Sequence, residues 1–175
     1  MEQTQTVQNP LGYKKIPSLL AAFAIPSIIA TLVSSLYNIV DQVFIGQGVG
    51  YLGNAATNVS YPLTTICLAI SLLIGIGSAS RFSLSLGAGE QEEACRVVGN
   101  GICMMLLSGI IYAVLIEIFL YPMLNAFGAT AENLSYAVSY SRIIALGMPF
   151  QVITTGMSNL IRADGSPKYS MTCML

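Results

Sequence analysis

Long apolar stretches separated by short polar links run along most of the chain. A helix needs about 20 apolar residues to cross the hydrocarbon core of a bilayer. Four stretches are long enough, at about 16–45, 52–86, 97–121 and 134–161. A fifth apolar stretch begins at 167, and the printed sequence ends within it. The pattern predicts an all-α, polytopic membrane helix bundle with about four complete transmembrane helices and the start of a fifth.

Composition supports a membrane protein and argues against several other classes. Hydrophobic residues make up 54% of the 175 residues, and charged residues only 9%, whereas soluble domains carry about 25% charged residues. The net charge of -1 provides no basic field for nucleic acid. The chain has no histidine, the commonest metal ligand and a frequent general base. We therefore expect neither a nucleic-acid partner nor an enzyme.

The four cysteines show no metal-binding or redox spacing. They lie at 67, 95, 103 and 173, without a CxxC pair. Three of them lie in or at the edge of apolar stretches, where a free thiol is usually a small packed hydrophobic group. We expect packing roles and no disulfide framework.

The basic residues alternate between the links and predict an orientation. The two links at 47–51 and 122–133 contain no Lys or Arg. The basic residues flank the start of the chain and the other links: Lys14, Lys15, Arg81, Arg96, Arg162 and Lys168. Because cytoplasmic segments carry an excess of Lys and Arg, residues 1–15 should form a cytoplasmic N-terminal segment of a multi-pass protein of the cell membrane.

Two local patterns concern helix packing and a helix start. Gly75, Ala79, Ser83 and Gly87 recur every fourth residue and share one helix face. Small residues on one face let membrane helices approach closely, so the stripe predicts a packing seam. Glycines at 87 and 89 are followed by acids at 90, 92 and 93. Acids suit the N-terminus of a helix, which predicts a short interfacial helix leading into the third span.

Asp41 is the single charge of the first span and the strongest candidate for chemistry. A carboxylate within a span is costly unless it is paired, protonated or facing water, and such residues mark ion or proton pathways. Ser34, Tyr37 and Asn38 lie on the same helix side as Asp41. Together they form a candidate site for a proton, Na⁺ or a cationic substrate. Alternatively, Asp41 caps the outer end of the span and meets water.

Other polar positions within the spans leave alternatives open. Glu117 and Arg142 are the remaining intramembrane charges of the third and fourth spans, and Arg142 is free to neutralise Glu117, Asp41 or neither. Asn159 is a candidate for a polar cavity or an exposed amide near the cytoplasm. Pro26 predicts a bend in the first span, serving either conformational change or packing.

Three stretches in register resemble the multidrug and toxic compound extrusion (MATE) family. They are YNIVDQVFIG at 37–46, GIGS at 75–78 through LGAG at 86–89, and YSRI at 140–143 through LIRADGSPK at 160–168. The resemblance extends from about residue 16 to the end. It implies twelve helices in two six-helix lobes around a cleft that opens alternately to each side, with residues 16–175 forming part of the N-terminal lobe.

The resemblance also implies a function. Such proteins exchange H⁺ or Na⁺ for organic, often cationic drugs, and need no cofactor. Asp41 matches an aspartate of the polar network in the N-terminal lobe, and Pro26 matches a proline at which the first span bends. Other members of that network come from spans beyond Leu175, so the remainder of the chain, the C-terminal lobe included, would be its partner in transport.

Two other functions compete with the exporter. A lipid-linked sugar flippase of the same superfamily needs a cationic cleft for pyrophosphate, which the acid Asp41 and the sparse basic residues disfavour. A membrane scaffold subunit that does not transport predicts a stop near Leu175 and no role for Asp41 beyond stability. We expect four helices of twelve not to transport alone, since alternating access requires two bundles.

Overall fold

The computed structural model describes residues 16–174, which form five helices. They are α1 (Ile16–Gly48), α2 (Tyr51–Gly87), α3 (Gln91–Ala126), α4 (Leu134–Ala163) and α5 (Pro167–Met174). Four of these helices are long and apolar enough to cross a membrane, which confirms the predicted all-α membrane bundle. The predicted cytoplasmic segment at 1–15 lies outside the described residues.

The link between α1 and α2 is shorter than the polar pattern suggests. The predicted link at 47–51 shrinks to Val49 and Gly50. Gly50 adopts φ 81°, a left-handed conformation that glycine reaches without a steric penalty. The chain therefore reverses within two residues and lays the end of α1 beside the start of α2.

Both ends of α3 extend beyond the predicted third span. The predicted interfacial helix is the first turn of α3 itself, with Glu92 and Glu93 within that turn. At the other end α3 continues through Pro122 to Ala126, although proline costs a helix one hydrogen bond. Leu124, just beyond Pro122, is fully buried. Burial of this side chain offsets the bond that Pro122 removes.

Helices α2 and α4 run parallel and form the centre of the bundle. The Ser60 and Ser141 hydroxyls lie 2.8 Å apart, and the Cys67 thiol lies 3.9 Å from the Met148 carbonyl. Both pairs are separated by 81 residues, and a constant separation in sequence means that the two helices run in the same direction. This direction agrees with alternate spans of one polytopic chain.

Helix α3 runs antiparallel to α2 and also packs on α4. The Tyr112 hydroxyl of α3 donates a 2.7 Å hydrogen bond to the Leu63 carbonyl of α2. Gly101 precedes Tyr112 in α3, and a Cβ on it would contact Ser78, which follows Leu63 in α2. The two helices therefore run in opposite directions. The buried apolar cluster draws on α2, α3 and α4. Its fully buried members include Leu63, Met105, Ile116, Leu120, Met148 and Val152.

The predicted small-residue stripe packs at one end only. Gly75 is buried against α4, and Ala79 packs beside the core. Ser83 and Gly87 are exposed, and a Cβ on Gly87 would meet nothing within 4 Å. The seam prediction is therefore right for Gly75 and Ala79 and wrong for the other two positions, because the contact surface of α2 turns away from the stripe.

The cysteines separate into one packed and three exposed thiols. Cys67 is buried in the core, whereas Cys95, Cys103 and Cys173 are exposed, and all four are free. The expected packing role is correct for Cys67. It is wrong for Cys103 and Cys173, because their helix faces point away from the described bundle.

Helix α1 lies at the edge of the bundle. Only 6% of its apolar window is buried, against 28%, 22% and 33% for α2, α3 and α4. It packs on the start of α2 and on α5. Its long exposed face is rich in large apolar side chains, such as Leu32, Leu36, Ile39 and Phe44. A bilayer or further protein would remove this surface from water.

Candidate functional site

A polar cavity of about 470 Å³ opens between α1, α2 and α4. Most of its walls carry a hydroxyl, phenol, amide or carboxylate group. The described lining residues are Tyr37, Asn38, Asp41, Gln42, Thr57, Asn58, Ser60, Tyr61, Thr64, Tyr140, Ile144, Gly147 and Gln151. Among these described residues, Asp41 is the only one with a charged side chain. The cavity is therefore a polar chamber around a single carboxylate.

Helix α1 supplies the acid and its polar neighbours. Tyr37, Asn38, Asp41 and Gln42 follow one another at intervals of one, three and one residues, and this spacing places them on one side of a helix. All four line the cavity. Asp41 is partly buried there, near the end of a helix that is otherwise mostly exposed. The helical period therefore places the carboxylate on the same side of α1 as its polar neighbours.

Helix α2 contributes a second polar face that the sequence analysis missed. Thr57, Asn58, Tyr61 and Thr64 line the cavity opposite α1. Thr57 is buried, and its hydroxyl donates a 2.9 Å hydrogen bond to the Asn54 carbonyl. The signal was available, because these polar residues recur at three- and four-residue intervals in a part of α2 that precedes its only charged residue, Arg81. The apolar character of α2 as a whole concealed it.

Helix α4 forms the remaining wall. Tyr140 and Gln151 line the cavity, and the buried Ser141 hydroxyl bonds to Ser60, which also lines it. Ser60 in turn donates to the Ala56 carbonyl at 2.9 Å, which leaves the Ser141 hydroxyl as the donor of the pair. This buried bond ties α2 to α4 beside the chamber. The wall is therefore held by packing and by a satisfied polar pair.

Arg142 lies beside Glu117 rather than beside Asp41. Its Nε is 3.8 Å from a Glu117 carboxylate oxygen, and both side chains are substantially exposed. Successive residues of a helix point about 100° apart, so Ser141 faces α2 while Arg142 faces α3. Among residues 16–174, no hydrogen bond or ion pair joins the Asp41 carboxylate to another side chain.

The other predicted site residues occupy different surroundings. Ser34 is exposed, and its carbonyl accepts a 2.8 Å hydrogen bond from the Asn38 amide. Asn159 donates to the Thr155 carbonyl at 3.0 Å and lies beside Gly75 in the α2–α4 contact. It is about 27 Å along α4 from Ser141 at 1.5 Å per residue. Pro26 lies within α1, but its side chain falls outside the described part of the chain.

The arrangement suits the binding of a small cation or a proton. An ionised carboxylate accepts hydrogen bonds, and phenol, hydroxyl and amide groups supply further oxygen ligands. An acid within a membrane span that faces a polar cavity is the usual setting for ion and proton pathways. Within the described residues, no group of three or more His, Cys, Asp and Glu side chains is placed to hold a metal ion.

Fold and site define a polytopic helical membrane protein with a polar chamber around one carboxylate. A family model described as MatE matches residues 26–175. The chain belongs to the MatE family, as its sequence resemblance predicted.

Two bacterial relatives carry names that refer to drug export. Over 169 residues the chain is 26% identical to the "Probable multidrug resistance protein YoeA" of Bacillus subtilis, covering 94% of this chain and 36% of that protein. Over 157 residues it is 30% identical to the "Multidrug export protein MepA" of Staphylococcus haemolyticus, covering 87% of this chain and 34% of the relative. The chain spans about a third of the length of these curated relatives.

Solved structures have the same fold. A crystal structure of MATE in complex with MaD5 superimposes with a TM-score of 0.85 at 22% identity, covering 99% of this chain and 39% of that chain. A structure in complex with MaD3S gives the same TM-score over 97% of this chain. These likenesses show that α1–α5 adopt the helical arrangement of that protein.

Proposed function

We propose that the protein acts in secondary active antiport, exporting organic, often cationic drugs in exchange for H⁺ or Na⁺. It is a transporter rather than an enzyme, and the coupling ion replaces any cofactor. The relatives named for multidrug export support the drug substrate. The main support for this proposal is that Asp41 is the one charged side chain among the described residues that line the polar chamber.

In this proposal Asp41 alternates between the coupling cation and the drug. Tyr37 and Asn38 line the same chamber and supply neighbouring polar groups. Ser34 acts through its carbonyl, which anchors the Asn38 amide. Asn159 serves at a separate polar position near the other end of α4. The bend at Pro26 belongs to the conformational cycle of α1.

The basic residues set the proposed orientation in the cell membrane. The Arg81 guanidinium, in the second half of α2, lies 3.7 Å from the Glu93 carboxylate at the start of α3. Arg162 lies in the last turn of α4. Since α2 and α4 are parallel, both arginines lie toward the same side of the bundle. Cytoplasmic segments carry an excess of Lys and Arg, so we assign this side of the bundle to the cytoplasm. The N-terminus then lies in the cytoplasm, and the end of α1 lies outside.

The charge of the chamber distinguishes this function from a lipid-linked sugar flippase. A pyrophosphate group requires basic side chains or a dense set of donors. The described lining residues include one carboxylate and neither Lys nor Arg. A chamber of this kind attracts cations and repels pyrophosphate, which supports the exporter.

The test compares two carboxylate-to-amide variants in cells that express the complete gene. Asp41→Asn removes the titratable group while keeping the side-chain shape, and we expect efflux of ethidium to be lost at unchanged protein level. Glu132→Gln, on an exposed turn, is the matched control and should export normally. Normal efflux by Asp41→Asn would exclude the coupling role. Imposed H⁺ and Na⁺ gradients then identify the ion that drives export.

A further inference from the structure

The position of Asp41 depends on a helix that packs sparsely. Within residues 16–174, few of the described side chains of α1 are buried, so packing among these residues constrains its rotation less than that of α2 or α4. Each residue of a helix turns the next by about 100°. A modest rotation of α1 about its axis would therefore remove the Asp41 carboxylate from the chamber. A contact between α1 and α2 next to Asp41 would limit this rotation.

A side-chain hydrogen bond joins α1 to α2 at the residue after Asp41. The Gln42 side-chain nitrogen and oxygen each lie 3.4 Å from the Thr57 hydroxyl oxygen. Thr57 is buried and commits its proton to the Asn54 carbonyl at 2.9 Å. The hydroxyl oxygen is then the acceptor, and the Gln42 NH₂ group is the donor. At 3.4 Å the bond is long and correspondingly weak, so a small displacement of α1 breaks it.

Gln42 also stands where two cavities meet. One is the chamber of Asp41, and the other is a space of about 530 Å³ between the end of α1 and the start of α2. Gln42 and Asn38 line both. The bond between Gln42 and Thr57 therefore crosses the α1–α2 groove at the edge of the chamber.

We propose that Gln42 is a positioning residue, which uses its hydrogen bond to Thr57 to hold the Asp41 carboxylate toward the chamber. This inference rests on the proposed coupling role of Asp41. Gln42 acts through Asp41 and need not touch the transported ion or drug. Loss of the bond lets α1 rotate, so that a smaller fraction of molecules presents the carboxylate and the apparent affinity for the coupling ion falls.

The experiment measures the concentration of the coupling ion that gives half-maximal ethidium efflux, in vesicles containing the protein from its complete gene. Gln42→Leu and Thr57→Val each remove one partner, and we expect each to raise this concentration about two- to threefold, the lower end of the effect of one lost hydrogen bond, because this bond is long. The double variant should show no further increase, since both changes break the same bond. Thr57→Ser retains the hydroxyl and should behave as wild type.

Gln47→Leu is the matched control, because it alters the same residue type five positions along α1 and should leave the half-maximal concentration unchanged. A lower protein level with an unchanged half-maximal concentration in Thr57→Val would overturn the positioning role. Additive shifts in the double variant would also overturn it. If Gln42→Leu does not accumulate, the comparison of Thr57→Val with Thr57→Ser decides.

Asp41→Asn, measured alongside, separates this inference from the proposed function. Normal efflux by Asp41→Asn contradicts both. Loss of efflux by Asp41→Asn, together with wild-type ion dependence in the Gln42 and Thr57 variants, contradicts the positioning role alone.

Discussion

Gly75 of α2 and Gly156 of α4 meet backbone to backbone. A Cβ on Gly75 would lie 2.8 Å from the Gly156 Cα and 3.2 Å from its carbonyl oxygen. The same 81-residue separation relates Ser60 to Ser141 near the chamber. The close approach of α2 and α4 therefore extends from the polar chamber past the middle of both helices, and it maintains the wall opposite Asp41.

Replacing Gly75 tests this contact. Gly75→Ala should destabilise the bundle by about 1–3 kcal/mol, because overpacking against a backbone atom cannot be relieved by a rotamer change. Thermal unfolding in detergent measures the effect. Gly77→Ala is the control, since a Cβ there has open space and alanine favours a helix over glycine. Equal stability of the two variants would contradict the backbone contact.

The Tyr112 hydroxyl provides a second link, from α3 to the Leu63 carbonyl of α2. Tyr112→Phe removes this 2.7 Å hydrogen bond and preserves the ring. We expect a loss of about 0.6–1.5 kcal/mol in the free energy of unfolding, as found for hydrogen bonds between membrane helices and within proteins. Tyr121→Phe, on the exposed surface of the same helix, should have no effect. Similar losses in both variants would argue against the bond.

The Ser60–Ser141 pair is suited to a double-mutant cycle. Both hydroxyls are buried and 2.8 Å apart, so each Ser→Ala change leaves the other hydroxyl without its interhelical partner. The double variant should be more stable than the sum of the single losses predicts, by about 0.5–1 kcal/mol. Ser139→Ala is the control, because Ser139 is exposed and bonds within its own helix. Strict additivity would show that the two hydroxyls do not interact in the membrane.

The helices and the acidic face of α1 could be predicted from the sequence because both depend on local regularities. Hydropathy located the four spans, and the helical period placed Tyr37, Asn38 and Asp41 together. The C-terminal end of α3 could not be predicted, since the burial of Leu124 that carries the helix past Pro122 is a tertiary effect.

The other walls of the chamber also depend on tertiary structure. Tyr61 and Tyr140 become neighbours of Asp41 only through the parallel packing of α2 on α4, which sets a register that no local pattern contains. For the same reason, the small-residue stripe indicated that α2 packs closely on another helix, but not which residues of the stripe make the contact. Gly75 lies in the contact with α4, whereas Gly87, on the same stripe, does not.

Glu117 provides the sharpest comparison with Asp41, because both are carboxylates within membrane spans. Glu117 lies 3.8 Å from Arg142 and is not among the described residues that line the chamber. We therefore expect Glu117→Gln to retain ethidium efflux at near wild-type protein level, while Asp41→Asn loses it. Efflux assays with matched immunoblots make the comparison. Loss of efflux in Glu117→Gln at normal protein level would mean that the α3–α4 pair, and not the chamber alone, takes part in coupling.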